Sequence, residues 1–418
     1  MKYRISAPNI IKADVKLPSS KSISNRALVI SAMAGDVSRL ENLSDCDDTD
    51  VIVRALNDMP ETIDIKAAGT AMRFLTAYLS ALPGETHVLT GTERMKHRPI
   101  KILVDALRRL GAQIEYVGEE GYPPLRITGK KLPGGKVSLP GNVSSQYISA
   151  LMMIGPLMQD GLTLMLEGSI VSHPYIDLTL CTMRDFGAEA DWTGVDTIVV
   201  KPVEYKPSPY YIESDWSAAS YWYQMMAMYC NEDCHVNLHG VMDGSRQGDS
   251  QVKYIFSMLG VKTKFESTQK LVPTTAALTC HDRTLPRMDF DFTHQPDLAQ
   301  TLIATCCACN IHFYFRGLAS LKIKETDRIE AMKTEMRKLG FVLHDFNDSE
   351  LRWDGERCER EADAVMETYD DHRMAMAIAP MSIILGSLTI NHPEVVSKSY
   401  PHFWEDLMKA GFRIEELD

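Results

Sequence analysis

Cations recur in this chain at the polar ends of otherwise apolar segments, a placement suited to holding phosphate and carboxylate groups. Lys21 and Arg26 stand in Pro18-Ser19-Ser20-Lys21-Ser22-Ile23-Ser24-Asn25-Arg26, just before the apolar run Ala27 to Ile30. Arg73 closes Gly69-Thr70-Ala71-Met72-Arg73, where glycine lets a ligand approach the backbone. Arg98-Pro99 follows the basic stretch Arg94-Met95-Lys96-His97. Lys324 and Arg328 flank Glu325 and Asp327, with Thr326 or Asp327 available to cap a helix. Arg373 follows Asp371-His372, and Lys398 lies in a loop before the final helix. Ser144-Ser145-Gln146 places three hydrogen-bonding side chains at one helix start. A charge beside buried apolar residues needs an anionic partner. For any single case an internal salt bridge would supply it. Recurrence at one phase of a repeat points to a shared anionic ligand instead.

The elements that carry these residues repeat. Helical stretches end at Gly111, Gly187, Gly260, Gly340 and Gly411, roughly 70–80 residues apart, and glycine is the expected stop at a helix C-terminus. A second kind of segment opens polar and turns almost wholly apolar: Lys21 to Ala34, Gly69 to Ala81, Ser144 to Met158, Asp215 to Met228, Asp297 to Cys309 and Asp371 to Leu385. Surface helices carry polarity as a stripe around the axis. Here it changes along the axis, which predicts buried helices with only their N-termini at a polar site. Helix N-termini favour anions. Strands such as Ile198 to Val200 and Leu388 to Asn391 lie between, so the class is mixed α/β with about six units. The first unit is short, because Asp58 to Lys66 leaves little room for a hairpin.

Composition narrows the function. A net charge of −12 argues against a broad nucleic-acid surface, though not against a local cationic pocket. Met1 to Ser20 has no apolar stretch of signal-peptide type, and runs such as Ala375 to Leu385 are too short to span a bilayer. The nine cysteines are scattered, which suits a reducing cytoplasm. Cys306 and Cys309 have C-x-x-C spacing, but no second pair completes a metal site, and core packing is expected.

Leu17 to Ala27, Ala68 to Arg73, Ser144 to Leu151 and Lys324 to Arg328 resemble the signatures of the 5-enolpyruvylshikimate-3-phosphate synthase family, and Asp371 to Met376 matches another. The resemblance runs in order from near residue 17 to near residue 401. It implies two inside-out α/β barrel domains, each of three repeated βαβαββ-type units, with a cleft between them. The chain would cross twice, giving an upper domain of residues 21–211 and a lower domain of residues 1–20 plus 212–418.

The resemblance also implies an addition–elimination reaction. The 5-hydroxyl of shikimate 3-phosphate attacks C2 of phosphoenolpyruvate, C3 is protonated, and phosphate leaves. By carry-over, Lys21, Ser22, Arg26, Ser144, Ser145, Gln146, Ser172, Tyr175, Asp297, Ser320 and Lys324 would bind shikimate 3-phosphate. Lys21, Gly69, Arg98, Gln146, Arg328, Arg373 and Lys398 would bind phosphoenolpyruvate. Asp297 would be the base and Glu325 the proton donor to C3, with Lys21 a competitor for that role. No cofactor, metal, nucleic acid or membrane is implied, and a cytoplasmic monomer is expected. Ala67, Phe74, Ser320 and Asp370 depart from the family pattern and put the packing around Gly69 in question. An enolpyruvyl transferase acting on UDP-N-acetylglucosamine shares the fold. It usually has a reactive cysteine before the Arg-Pro pair, and Arg94 to His97 contains none. An RNA 3′-phosphate cyclase would need a more basic surface, and a dead binding module would have lost Lys21, Asp297, Glu325 or Arg373.

Overall fold

The computed structural model describes residues 1–283 and 285–417. The chain divides into two compact units, Met1–Pro18 with Glu213–Asp418, and Ser19–Ile212. The first is the discontinuous unit below; the second is the inserted unit.

One supersecondary pattern builds both. In the inserted unit, Thr62–Asp64 pairs in parallel with Thr86–Thr90, which runs antiparallel to Leu125–Thr128, which in turn pairs antiparallel with Gln113–Tyr116. Helix Gly69–Ser80 connects the parallel strands, and helix Lys101–Arg109 leads into the hairpin. The same order recurs in the sheet of Gly135–Pro140, Leu162–Glu167, Thr197–Val200 and Ala190–Trp192. Each unit is therefore βαβαββ, as expected.

The discontinuous unit holds three such four-stranded sheets. Two of them borrow strands from the start of the chain. Lys12–Lys16 pairs in parallel with His235–Met242, and Lys2–Ser6 lies between Ser387–Asn391 and Arg413–Leu417. The first repeat of the inserted unit is truncated. It keeps helices Lys21–Ala34 and Asp47–Asp58 and one parallel pair, Leu40–Glu41 with Tyr210–Tyr211. From Asp58 the chain passes directly to Thr62–Asp64 of the next sheet.

The apolar helices are buried along their length. In Trp216–Tyr229 every residue from Trp216 to Ala227 is buried, and Asp215 caps the start by accepting from the Ser217 and Ala218 amides. Ser20, Ser144 and Asp371 cap Lys21–Ala34, Ser145–Ile154 and His372–Ile378 in the same way. The five glycines that end the other helices have φ of 86° to 101°, the left-handed region that a side chain disfavours.

Prolines cut two expected helices and start a third. Asp371 to Leu385 resolves into His372–Ile378, a 3-10 turn at Ala379–Met381 and Ser382–Leu385, because Pro380 has no amide to continue the ladder. Pro156 ends Ser145–Ile154 in a 3-10 turn, and Pro296 starts Asp297's segment with one before Ala299–Ala308. Cys306 and Cys307 are buried in the discontinuous unit's core, and burial pushes both thiols up. Among the described residues no cluster of three or more His, Cys, Asp or Glu could hold a metal ion, and no helix is long and apolar enough to cross a membrane.

Candidate active site

In the discontinuous unit the charged motif residues form one connected network. Arg328 opens helix Arg328–Lys338, with Asp327 as its N-cap. Its guanidinium reaches three carboxylates: Nε lies 2.7 Å from Asp371 Oδ2, Nη1 lies 3.2 Å from Asp297 Oδ1, and Nη2 lies 2.9 Å from Glu325 Oε2. Arg373, in the first turn of the helix that Asp371 caps, places Nη2 2.9 Å from Asp297 Oδ2 and 3.3 Å from Ser217 Oγ. Its Nη1 lies 3.5 Å from the Tyr221 hydroxyl. Lys324 Nζ is 3.8 Å from Asp297 Oδ1, and Lys398 Nζ is 3.4 Å from Glu325 Oε1.

Asp297 thus sits among three cations. Burial alone would raise its pKa, but Arg373, Lys324 and Arg328 together outweigh that and hold the carboxyl below its ordinary range. Burial lowers Lys324, with Arg328 and Arg373 reinforcing the effect against Asp297 and Glu325. Arg328 is raised because Asp371, Glu325 and Asp297 outweigh its own burial. Burial carries the Tyr221 phenol up to about 12. Four cations face three carboxylates here, so the cluster is nearly neutral and every charge in it has a partner.

Arg26 of the inserted unit is satisfied differently. Arg26 is 3% exposed, and its donors go to neutral oxygens: Thr179 Oγ1 at 2.7 Å, the Ser22 carbonyl at 2.8 Å, Ser149 Oγ at 3.1 Å and the Tyr175 carbonyl at 3.4 Å. Burial lowers its pKa to about 10, which leaves it charged at neutral pH. Ser22, Arg26 and Tyr175 are gathered by these bonds. Ser172, in the left-handed region at φ 53°, leads into helix His173–Asp185. Lys21 pairs with the buried Asp48 at 3.1 Å. Gln146 Nε2 donates to Thr70 Oγ1 at 3.0 Å, which joins the start of Ser145–Ile154 to the Gly69 motif.

Gly69 earns its type from contact. A Cβ there would lie 2.8 Å from Arg98 Nη1 and 3.0 Å from Arg73 Nη1, so no other residue fits without moving a guanidinium. Arg73 Nη1 donates to the Gly69 carbonyl at 2.9 Å. The Arg98 Nε–H is buried with no hydrogen-bond partner among the described residues.

Sequence reasoning missed several partners. Asp48 belongs to helix Asp47–Asp58, whose stop is Met59 at φ 39° rather than a glycine, so counting glycines could not find it. Asp371 opens a helix, as its sequence position implies, and it also anchors Arg328. Ser217 and Tyr221 reach Arg373 from another helix, a contact with no local signal. Ser320 lies half-buried in the 3-10 turn Ala319–Ile323, outside the bonded network described above.

The model of the family described as EPSP synthase (3-phosphoshikimate 1-carboxyvinyltransferase) matches residues 5–63 and 56–407. A 3-phosphoshikimate 1-carboxyvinyltransferase of Bacteroides fragilis (strain YCH46) is 57% identical over 415 residues, covering 99% of each chain. That of Photobacterium damsela subsp. piscicida is 35% identical, covering 96% of this chain and 97% of its own. The solved EPSP synthase from Acinetobacter baumannii, 23% identical, matches over 100% of both chains with a TM-score of 0.80, a likeness of fold. On matches that run through nearly the whole chain, this protein belongs to the EPSP synthase family.

Proposed function

We propose that the chain transfers the enolpyruvyl group of phosphoenolpyruvate to the 5-hydroxyl of shikimate 3-phosphate and releases phosphate, as a transferase of aromatic amino-acid biosynthesis. The observation that carries the chemistry is Asp297 held among Arg328, Arg373 and Lys324. Two polyanionic substrates need such a set, and arginine forks suit phosphate and carboxylate oxygens.

In this reading Arg98, Arg328, Arg373 and Lys398 hold phosphoenolpyruvate, and the buried Arg98 Nε–H, without a hydrogen-bond partner among the described residues, supports its part. Lys21, Gly69 and Gln146 touch both substrates or lie beside them. Ser22, Arg26, Ser144, Ser145, Ser172, Tyr175, Ser320 and Lys324 serve shikimate 3-phosphate. Asp297 takes the 5-hydroxyl proton as the oxygen bonds to C2, and Glu325 gives a proton to C3, with Lys21 the competing donor. The tetrahedral adduct then loses phosphate from C2 while the Glu325 carboxylate takes a proton back from C3, and the C2–C3 double bond re-forms.

A carboxylate with a depressed pKa is a weak base, so the reaction must release it. Substrate phosphate and carboxylate groups compete for Arg328 and Arg373. As those cations turn to the substrate, Asp297 regains basicity and Glu325 becomes easier to protonate. The same reading has the chain act in the cytoplasm as a monomer without a cofactor.

The test is phosphate release from phosphoenolpyruvate with and without shikimate 3-phosphate. Release that depends on shikimate 3-phosphate is the expected result. Release with UDP-N-acetylglucosamine in its place, or none with either acceptor, would reject the proposal.

A further inference from the structure

The turn leading into Asp371 is held in a conformation that its residues do not favour. Tyr369 and Asp370 both have φ of 54°. Aspartate tolerates the left-handed region, but a tyrosine there is disfavoured by its Cβ. Such residues persist where the surroundings hold them, and they concentrate at functional sites.

What the turn delivers is the fully buried Asp371 carboxylate, which takes Arg328 Nε at 2.7 Å, Arg328 Nη2 at 3.3 Å and the Arg373 amide at 2.9 Å. What holds the turn is a second contact to the same helix. The Tyr369 hydroxyl donates to Glu335 Oε1 at 2.6 Å. Glu335 is itself fully buried, with Lys338 Nζ 2.9 Å from each oxygen and the Glu367 amide 3.0 Å from Oε2. Arg328 and Glu335 lie seven residues apart in helix Arg328–Lys338, and so share a face. The helix and the turn are therefore tied at two points, Arg328 to Asp371 and Glu335 to Tyr369.

We infer that Tyr369 is a positioning residue: its bond to Glu335 keeps the left-handed turn closed and so fixes Asp371 against the two arginines assigned to phosphoenolpyruvate. This rests on the function proposed above. A bond to a charged carboxylate is worth enough that its loss lets the turn relax in a sizeable fraction of molecules. The carboxylate then moves relative to the Arg328 guanidinium and to the Arg373 amide that starts its helix, and phosphoenolpyruvate meets a looser pair.

The experiment is steady-state kinetics on the full chain. Tyr369→Phe is expected to raise KM for phosphoenolpyruvate roughly five- to tenfold, with a smaller change in KM for shikimate 3-phosphate and little change in thermal midpoint. Adding Asp370→Gly should recover most of that loss, because glycine takes positive φ without a Cβ clash. Glu335→Gln loosens the same tie from the other side and must shift KM in the same direction, so the test stands should Tyr369→Phe fold poorly. An unchanged KM for phosphoenolpyruvate, or a loss that Asp370→Gly leaves intact, overturns the inference. A wild-type chain that releases no phosphate with shikimate 3-phosphate would instead end the function reading, and the two failures are thereby distinct.

Discussion

Arg328 in the discontinuous unit and Arg26 in the inserted unit are both buried arginines in the first two turns of their helices, and they are satisfied in opposite ways. Arg328 is surrounded by carboxylates, and Arg26 by hydroxyls and carbonyls. Carboxylates answer both geometry and charge. Neutral oxygens answer geometry alone, so Arg26 leaves a standing positive potential, while the Arg328 cluster stays nearly neutral until another anion competes for it. Arg26 offers a fixed field, and Arg328 an exchangeable set of ion pairs.

The sharpest way to break that contrast is Asp371→Ala. Arg328 would lose its closest carboxylate inside the core, which should cost about 3–5 kcal/mol of stability by urea unfolding. A cost under about 1 kcal/mol would show that Asp297 and Glu325 alone suffice, since surface pairs are worth that little. Asp297→Ala comes next and tests chemistry: turnover should fall at least ~100-fold in the phosphate-release assay. Near-normal turnover would remove Asp297 from the mechanism.

Arg26→Lys probes the other side. An ammonium keeps the charge but cannot reproduce the fork, so about 1–3 kcal/mol of stability should go. KM for shikimate 3-phosphate should rise while KM for phosphoenolpyruvate holds. Equal rises in both would mean that Arg26 acts only through packing.

The smallest effect concerns Glu213, a buried carboxyl that accepts from Ser245 Oγ at 2.7 Å. Burial raises it from 4.5 to about 7, the reverse of Asp297. Its contribution to stability is fully present below about 4.5 and is lost as pH rises through about 7. For Asp297 the sign inverts: its contribution is present above the unfolded value of 3.8 and is lost as pH falls through the lower folded value. Glu213→Gln should therefore stabilise the chain at pH 8 by on the order of 1 kcal/mol relative to pH 5. Thermal midpoints at the two pH values would check this, and an unchanged difference would argue that cations outside its hydrogen bonds already neutralise it.

The repeat and its cations were legible because they leave periodic marks: a glycine where a helix must stop, and a polar start to an apolar run. Helix Asp47–Asp58 escaped because Met59 takes the left-handed stop at φ 39°. The proline breaks at Pro156 and Pro380 were written in the sequence but overridden by the apolar pattern. Asp48, Ser217 and Tyr221 were not legible as partners, since each meets its cation across elements distant in the chain. Long-range pairing of this kind follows from packing, and no window of residues contains it.

The strand Lys2–Ser6 sits between Ser387–Asn391 and Arg413–Leu417. A ribosome releases these in the wrong order for pairing, since one of the earliest segments to emerge has both neighbours among the last. Ser19–Ile212 contains its own sheets and core, and can close while synthesis continues. During translation the nascent chain would thus carry a finished insert beside an interior strand still waiting for both its neighbours, and its sheet could complete itself only once Arg413–Leu417 has emerged.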